Sequence, residues 1–263
     1  MKLRFLAAAI MLVFAGAVFV LTGGPLAEGA AAQAPAVHVL ASNGVQGSLN
    51  ELIPQCERAI GHPMTVEFDT TATIKPKIEG GEAFDFTVLT ADAVDALIKE
   101  GKVVASSRTG VARVGIGVGI RAGAAKPDVS TPEALKKTLL NAKSITYAAA
   151  GASRPAIDKM LRQMDISDAL QSKTLLLPGA AETAAAVANG KADILLTLIS
   201  EIVSAKGLAL AGPLPGAFQT YIAFAAGVSA NAKNADAATA AIQFLTGPKT
   251  VLVYKAKGME PLR

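Results

Sequence analysis

Hydroxyl and amide side chains recur where three predicted strands give way to helices. Ser42 and Asn43 follow the first of these strands, Thr70 and Thr71 follow the second, and Thr90 follows the third. Each of these residue types commonly caps a helix N-terminus, so one of them alone carries little functional information. Three such turns on one edge of a sheet are more informative about function, because hydroxyls and free backbone N–H groups at converging helix N-termini form an anion site. The pattern therefore predicts that these five residues bind a small anion.

The elements that position these residues form a repeating pattern. The predicted strands cover 37–40, 63–68 and 84–89, and the helices that follow them cover 49–60, 74–79 and 91–100. Three strand-to-helix units in succession predict a parallel sheet that is covered by helices on both faces. Ligands of such sheets gather at the carboxyl ends of the strands, which is where the hydroxyl-bearing turns fall.

A second series of alternating strands and helices runs from residue 130 to residue 198 and predicts a second α/β lobe. Ser153 and Arg154 stand at the start of one of its helices, which faces the expected cleft between the lobes. A guanidinium group at that place suits bidentate capture of a carboxylate. The alternative for Arg154 is a solvated surface position.

Glycine occupies every second position within 112–121 (ARVGIGVGIR), a pattern that predicts a strand. The period of two places Gly115, Gly117 and Gly119 on one face, where another backbone or a helix can approach closely. The segment is not a dinucleotide-binding loop, because that fingerprint needs glycines that run from a strand into a helix. A further strand at 220–228 follows the second lobe. We expect both segments to cross between the lobes and 112–121 to act as a hinge.

The N-terminus predicts export. Residues 1–34 join two basic residues to an apolar run and end in small residues, as in a cleaved secretory signal peptide. The alternative is a retained membrane anchor, because the apolar run approaches the length that spans a bilayer. The formal net charge of +4 becomes +3 once Lys2, Arg4 and Glu28 leave with the leader. That charge is too small and too dispersed for a nucleic-acid partner, but it is compatible with an anionic ligand. We expect an exported protein with no stable membrane insertion after cleavage.

Other chemically reactive residues are expected to be structural. Cys56 is the only cysteine and lies in a helical pattern, which is typical of a buried thiol. His38 and His62 stand alone, one on a strand and one in a turn, so core or surface roles are favoured. Arg113 and Arg121 flank the glycine segment and are expected to contact carbonyl or carboxylate groups. The sequence shows no Ser-His-Asp set and no metal-binding cluster, and we expect no cofactor.

Four segments resemble periplasmic solute-binding proteins of the two-crossover kind, and most closely their molybdate-binding branch. They are VHVLASNGVQGSLNEL (37–52), FDTTATIKPKIEGGEAFDFTVLTADAVDAL (68–97), ARVGIGVGIRAGAAKPD (112–128) and GAAETAAAVANGKADILLTLISEI (179–202). The resemblance implies an α/β fold of two doubly wound lobes joined by two crossover strands. Lobe 1 is expected over 35–112 and 222–263, and lobe 2 over 113–221. The implied protein is a monomer that closes on a ligand and delivers it to an ABC transporter permease.

The resemblance also implies site residues. Ser42 and Thr71 match the hydroxyl-bearing turns of the molybdate binders, whereas leucine stands where those proteins carry a tyrosine, with Thr197 beside it. Because the loss of one buried donor costs about 1 to 3 kcal/mol, this departure argues against molybdate itself. The expected ligand is a small anion, either a molybdate-like oxyanion or a small organic carboxylate, with Thr197 among its contacts.

Two other function classes are open to such a chain. Some relatives of the molybdate binders resemble aconitate isomerase, and an exported isomerase of a small tricarboxylate would need a carboxylate clamp and a base. Arg154 is the candidate clamp, and Glu182 or Asp92 is the candidate base, although both acids are also ordinary first-turn helix residues. A ligand-sensing regulator would need a helix-turn-helix segment before the first lobe, where this chain has an export signal.

Overall fold

The computed structural model describes residues 34–262. The predicted signal peptide, 1–34, lies outside the described residues apart from Ala34, so its cleavage stays a prediction. Between residues 34 and 262, no helix is both long enough and apolar enough to cross a membrane.

Within the described residues, ten strands form one mixed sheet. They are β1 (Val37–Ser42), β2 (Met64–Asp69), β3 (Phe86–Thr90), β4 (Thr109–Arg121), β5 (Ile145–Ala148), β6 (Thr174–Leu177), β7 (Ile194–Leu198), β8 (Leu208–Pro213), β9 (Tyr221–Val228) and β10 (Met259–Pro261). The order across the sheet is β2-β1-β3-β9-β4-β7-β5-β6, and β8 and β10 also pair with β4.

Helices cover both faces of this sheet. They are α1 (Asn43–Ile60), α2 (Thr71–Glu79), α3 (Ala91–Lys99), α4 (Pro132–Asn141), α5 (Arg154–Gln163), α6 (Ser167–Gln171), α7 (Ala180–Ala188), α8 (Ile199–Ser204), α9 (Ala235–Leu245) and α10 (Val251–Ala256). The sequence patterns did not predict α6, α8, β8 and β10. Helices α6 and α8 are short, with five and six residues.

The sheet consists of two α/β halves that share β4. Strand β1 is parallel to β2 and β3, and β5 is parallel to β6 and β7. Strand β4 pairs antiparallel with β9 through residues 109–115 and with β7 through residues 116–120. The chain returns from the second half through residues 214–220 into β9. This arrangement confirms the predicted α/β fold, whereas the lobe boundaries at 112/113 and 221/222 stay a prediction.

Helix α1 begins at Asn43, six residues before the predicted start. The apolar periodicity begins only at Leu49, because the first turns of α1 use glycine to approach β9 and α8. A Cβ atom on Gly44 would lie 2.3 Å from Phe224 Cζ, and one on Gly47 would lie 1.9 Å from Ser204 Oγ. The loop expected after Ser42 is therefore helical backbone packed against β9 and α8.

The glycines of β4 make the close packing that their spacing predicts. A Cβ atom on Gly117 would lie 2.9 Å from both Ile199 Cγ1 and Leu210 Cδ1, and one on Gly119 would lie 3.2 Å from Ile202 Cγ1. Helix α8 therefore rests directly on the bare face of β4. The face is confirmed as a surface of close approach, and its role as a hinge stays a prediction.

The other chemically reactive residues have structural partners. Cys56 is fully buried in α1, and burial raises the pKa of its thiol to about 12. His38 Nδ1 lies 2.7 Å from the Ala83 carbonyl oxygen, and His62 Nδ1 lies 2.9 Å from that of Pro35. Arg113 pairs with Glu260 at 2.7 Å across β4 and β10, which confirms its expected carboxylate contact. None of these four side chains lines the cavity described below.

Candidate functional site

Five of the eight predicted site residues line one small cavity: Ser42, Asn43, Thr70, Thr71 and Ser153. The first four come from the carboxyl ends of β1 and β2 and the helices that follow them, and Ser153 comes from the loop between β5 and α5. The two halves of the sheet therefore contribute opposite walls. The wall of the second half also includes Ala148, Gly151, Ala152, Ala180, Leu198 and Glu201.

The hydroxyl groups of the first wall are fixed by helix capping. Ser42 Oγ accepts a hydrogen bond from the Gly44 N–H at 3.3 Å, and Thr70 Oγ1 accepts one from the Thr73 N–H at 3.1 Å. Both residues are buried, with 3% and 6% of their surfaces exposed. The capping interpretation and the binding interpretation are thus compatible, because each side chain both caps its helix and lines the cavity.

Four helix N-termini meet at the cavity. Asn43 and Thr71 are the first residues of α1 and α2, Ser153 immediately precedes α5, and Ala180 is the first residue of α7. Each of these helices has at least nine residues. Their aligned peptide dipoles place partial positive charge at the cavity, which favours an anion there without a nearby cation.

Glu201 brings a carboxyl group to the same cavity, and the sequence patterns did not predict it. The residue lies in the first turn of α8. Its side chain is partly buried, and the carboxyl group accepts hydrogen bonds from the Thr197 hydroxyl and from the Leu198 N–H. Burial raises the pKa of Glu201 above its usual value, although these two hydrogen bonds act in the opposite direction. The cavity therefore combines a strongly anion-favouring environment with one acidic group.

The other three predicted site residues lie outside this cavity. Arg154 is turned away from it, because its Nη1 donates to the Ala149 carbonyl at 2.8 Å and its Nε contacts the Asp158 carboxylate at 3.3 Å. Capture of a carboxylate by Arg154 stays a prediction that requires the side chain to leave these partners. Thr90 lines one neighbouring cleft, and Thr197 lines the other and donates a hydrogen bond to Glu201.

The acids proposed from sequence as catalytic bases are also outside the cavity. Asp92 and Glu182 are both exposed first-turn residues, of α3 and α7. Asp92 lines only the neighbouring cleft. Of the acidic residues described, Glu201 is the one that lines the cavity itself.

The small cavity lies between two open clefts. Its volume is about 10 Å³, which is close to the minimum that holds one water molecule. It shares Thr71, Gly151 and Ala152 with a cleft of about 630 Å³, and it shares Asn43, Ala180 and Glu201 with another of about 500 Å³. A ligand larger than water therefore enters only if the two walls separate.

A larger cavity of about 650 Å³ lies elsewhere, against Ile120, Lys137 and Ile194. Ile194 begins β7, so this cavity is at the opposite end of that strand from the hydroxyl-bearing turns. Within 34–262, no group of three or more His, Cys, Asp or Glu side chains is arranged to hold a metal ion.

Two curated proteins are similar to this chain over most of their length. The molybdate-binding protein of Azotobacter vinelandii is 28% identical over 235 residues, which are 87% of this chain and 91% of that protein. The aconitate isomerase of a Pseudomonas species is 26% identical over 229 residues, which are 85% of this chain and 87% of that enzyme. One relative is therefore a binding protein and the other an enzyme.

Comparison with solved structures supports the same fold. The periplasmic molybdate-binding protein of Azotobacter vinelandii superposes with a TM-score of 0.74 and 18% identity, over 86% of this chain and 100% of that chain. At this identity the likeness shows the fold alone. A family model described as a bacterial extracellular solute-binding protein matches residues 37–260. The chain belongs to the bacterial extracellular solute-binding proteins.

Proposed function

We propose that this protein is the periplasmic solute-binding component of an ABC transporter and that it captures a small anion between its two lobes. The observation that carries the proposal is the convergence of Ser42, Thr70, Thr71 and Ser153 with four helix N-termini on one cavity. Hydroxyls and backbone N–H groups in that arrangement are donors for the oxygens of an oxyanion or a carboxylate.

Binding then requires opening and closure. The cavity of about 10 Å³ cannot contain an oxyanion, so the lobes separate to admit the ligand and approach one another again around it. In this mechanism β4 and residues 214–220, which connect the halves, absorb the rotation. The ligand selects the arrangement in which both walls donate to it at once.

The proposed cellular setting rests on the family and on the N-terminus. The predicted signal peptide over 1–34 would deliver the mature chain to the periplasm, and a permease would receive the ligand from the closed protein.

Calorimetric titration of the purified mature protein tests the proposal. The titrants are molybdate, tungstate, sulfate and a panel of di- and tricarboxylates, with sodium chloride at matched ionic strength as the control. We expect saturable binding of at least one member of the panel and none of chloride. If no member of the panel produces heat or raises the thermal unfolding temperature, the proposal is wrong.

A second candidate function is isomerisation of a small tricarboxylate such as aconitate. It is supported by the similarity to the Pseudomonas aconitate isomerase and by the position of Glu201 in the cavity, since proton transfer next to a carboxylate needs a positioned base. Incubation of the protein with cis- and trans-aconitate, followed by chromatographic separation of the isomers, tests it. Unchanged isomer ratios at high protein concentration would remove this candidate.

A further inference from the structure

We propose that Glu201 couples anion capture to one proton, so that the closed site holds the anion together with a proton shared between the ligand and the Glu201 carboxyl group. This inference rests on the proposed anion-binding function and specifies its ligand class. The class comprises anions that carry an exchangeable proton and anions that acquire one through Glu201.

Glu201 is positioned next to the place where an anion would bind. It lines the same cavity as Ser42, Thr70 and Ser153, and that cavity is about 10 Å³ in volume. Even after the walls separate enough to admit a ligand, an anion bound among these hydroxyls lies close to the Glu201 carboxyl group. The two groups then compete for the same donors in a region from which water is largely removed.

The hydrogen-bond partners of Glu201 are uncharged. Thr197 and Leu198 supply one hydroxyl and one backbone N–H to the carboxyl group. Both partners are neutral donors. Among the ion pairs of the described residues, none involves Glu201. No opposite charge therefore compensates the carboxylate when a second negative charge enters the cavity.

The charged side chains on the elements around Glu201 pair with other residues or are exposed to solvent. On α1, Glu51 lies in the adjoining cleft and pairs with Lys257 at 3.2 Å, while Glu57 accepts a hydrogen bond from the Met64 N–H and Arg58 is exposed. Strands β7 and β8 carry no charged side chain.

The charged side chains on β4, on α7 and at the start of α5 do not pair with Glu201 either. On β4, Arg113 pairs with Glu260, and Arg121 lines the remote cavity. On α7, Glu182 is exposed, and at the start of α5 the Arg154 guanidinium is directed to Asp158. The electrostatics of the site are thus set by Glu201, the helix N-termini and the ligand.

The energetics follow from burial. Two negative charges a few ångströms apart in a medium of low effective dielectric repel strongly, and such pairs avoid the cost by binding a proton. Burial has already raised the pKa of Glu201 in the absence of a ligand, and an approaching anion raises it further. A fully ionised anion such as sulfate therefore binds with uptake of a proton by Glu201. A monoprotonated anion instead donates its own proton to the ionised carboxylate.

Because anion binding is coupled to the uptake of one proton, the anion affinity depends on pH. At pH values above the pKa of free Glu201, each increase of one pH unit lowers the affinity for a fully ionised anion by up to roughly tenfold, because one proton must be taken up. Sulfate and simple dicarboxylates remain fully ionised between about pH 7 and about pH 9, so a slope in that interval belongs to the protein.

The experiment measures affinity and proton uptake together. Each anion of the titration panel that binds the wild-type protein is titrated at several pH values from about 7 to about 9, in pairs of buffers with different ionisation enthalpies. The Glu201→Gln variant keeps the side-chain shape but cannot ionise. The matched control is Glu51→Gln, which removes an acid of the adjoining cleft that does not line the small cavity.

We expect wild-type protein and the Glu51→Gln variant to take up protons on binding and to lose affinity as the pH rises. The Glu201→Gln variant is expected to bind without proton uptake and with a pH-independent affinity that exceeds the wild-type affinity at the highest pH. Binding of a fully ionised anion to wild-type protein without proton uptake at every pH tested, or an unchanged slope in Glu201→Gln, would overturn the inference and leave the proposed function intact. If no anion binds wild-type protein at any pH, the proposed function itself fails. The wild-type proton uptake is decisive even if the variant does not fold.

Discussion

Two acids of this protein have different surroundings: Asp85 is buried, and Glu201 is partly buried. Asp85, just before β3, accepts hydrogen bonds from the His38 N–H at 2.8 Å, from the Asn234 N–H at 2.8 Å and from the Lys233 N–H. Glu201 has one hydroxyl and one N–H as its partners. Burial acts to raise both pKa values, but the donors around Asp85 outweigh it and hold the pKa of that group below its usual value. The pKa of Glu201 stays raised.

The difference shows how this fold distinguishes a structural acid from one that is available for function. Asp85 joins β1 to the segment that begins α9, and its donors are saturated by the fold itself. Glu201 lines an anion-favouring cavity and leaves part of its hydrogen-bonding capacity unused, since an ionised carboxylate can accept about four bonds. A ligand can therefore change the environment of Glu201 but not that of Asp85.

The largest expected effect comes from matched neutralisation of the two acids. Asp85→Asn places an amide donor opposite N–H donors, and we expect it to lower the free energy of unfolding by about 3 kcal/mol. Glu201→Gln removes a poorly compensated charge, so we expect a change of less than about 1 kcal/mol at neutral pH. Urea denaturation of both variants measures the two changes in the free energy of unfolding. Equal losses would show that the two carboxyl groups are equivalent.

The pH dependence of these variants has opposite signs. The contribution of Asp85 is present above its ordinary pKa of 3.8 and disappears as the pH falls through the lower folded-state value. The wild-type advantage over Asp85→Asn therefore shrinks in acid. For Glu201, the cost of ionisation appears as the pH rises above the ordinary value of 4.5 and through the raised folded-state pKa. Glu201→Gln should accordingly gain stability relative to wild type as the pH rises.

The second prediction concerns the support beneath Glu201. A valine at Gly117 meets Ile199, Leu210 and the Gly212 carbonyl oxygen, so Gly117→Val should cost about 2 kcal/mol of stability through overpacking. It should also displace α8 and weaken anion binding. If β4 acted only as a hinge, Gly117→Val would lower anion affinity in a normally folded protein. The contacts of Gly117 with α8 make a loss of stability the expected result.

Gly216→Val is the control for this substitution, because a Cβ atom at Gly216 meets nothing within 4 Å. Its thermal unfolding temperature should match that of wild type. If Gly117→Val matches wild type in both thermal unfolding temperature and anion affinity, α8 does not depend on close packing against β4.

The smallest expected effect separates capping from binding. Ser42→Ala removes an N-cap and a cavity donor, so it should cost about 1 kcal/mol of stability and roughly tenfold in anion affinity. Thr131→Ala removes the N-cap of α4, where Thr131 accepts from the Ala134 N–H at 3.1 Å, far along the chain from the cavity residues. It should cost the same stability and leave anion affinity unchanged. Equal affinities in the two variants would mean that Ser42 only caps α1.

The sequence patterns are most informative where the relevant physics is local. Ser42, Thr70 and Thr71 line one cavity because polar residues at strand-to-helix turns cap helices, and parallel strands bring such turns to one edge. Their contact with an anion stays a prediction. The glycine spacing of β4 predicted a face of close approach for a similar reason, since residue alternation along a strand fixes which side chains share a face. These features do not depend on which partner packs against them.

The sequence by itself therefore determined the α/β alternation, the hydroxyl-bearing edge and the bare face of β4. Only the tertiary structure showed that Glu201 lines the cavity and that Arg154 does not. Arg154 is held by Asp158 one helical turn away, and Glu201 reaches the cavity because the short helix α8 packs onto Gly117 and Gly119. The orientation of a long side chain and the placement of a six-residue helix depend on packing between distant segments. That information is absent from local patterns.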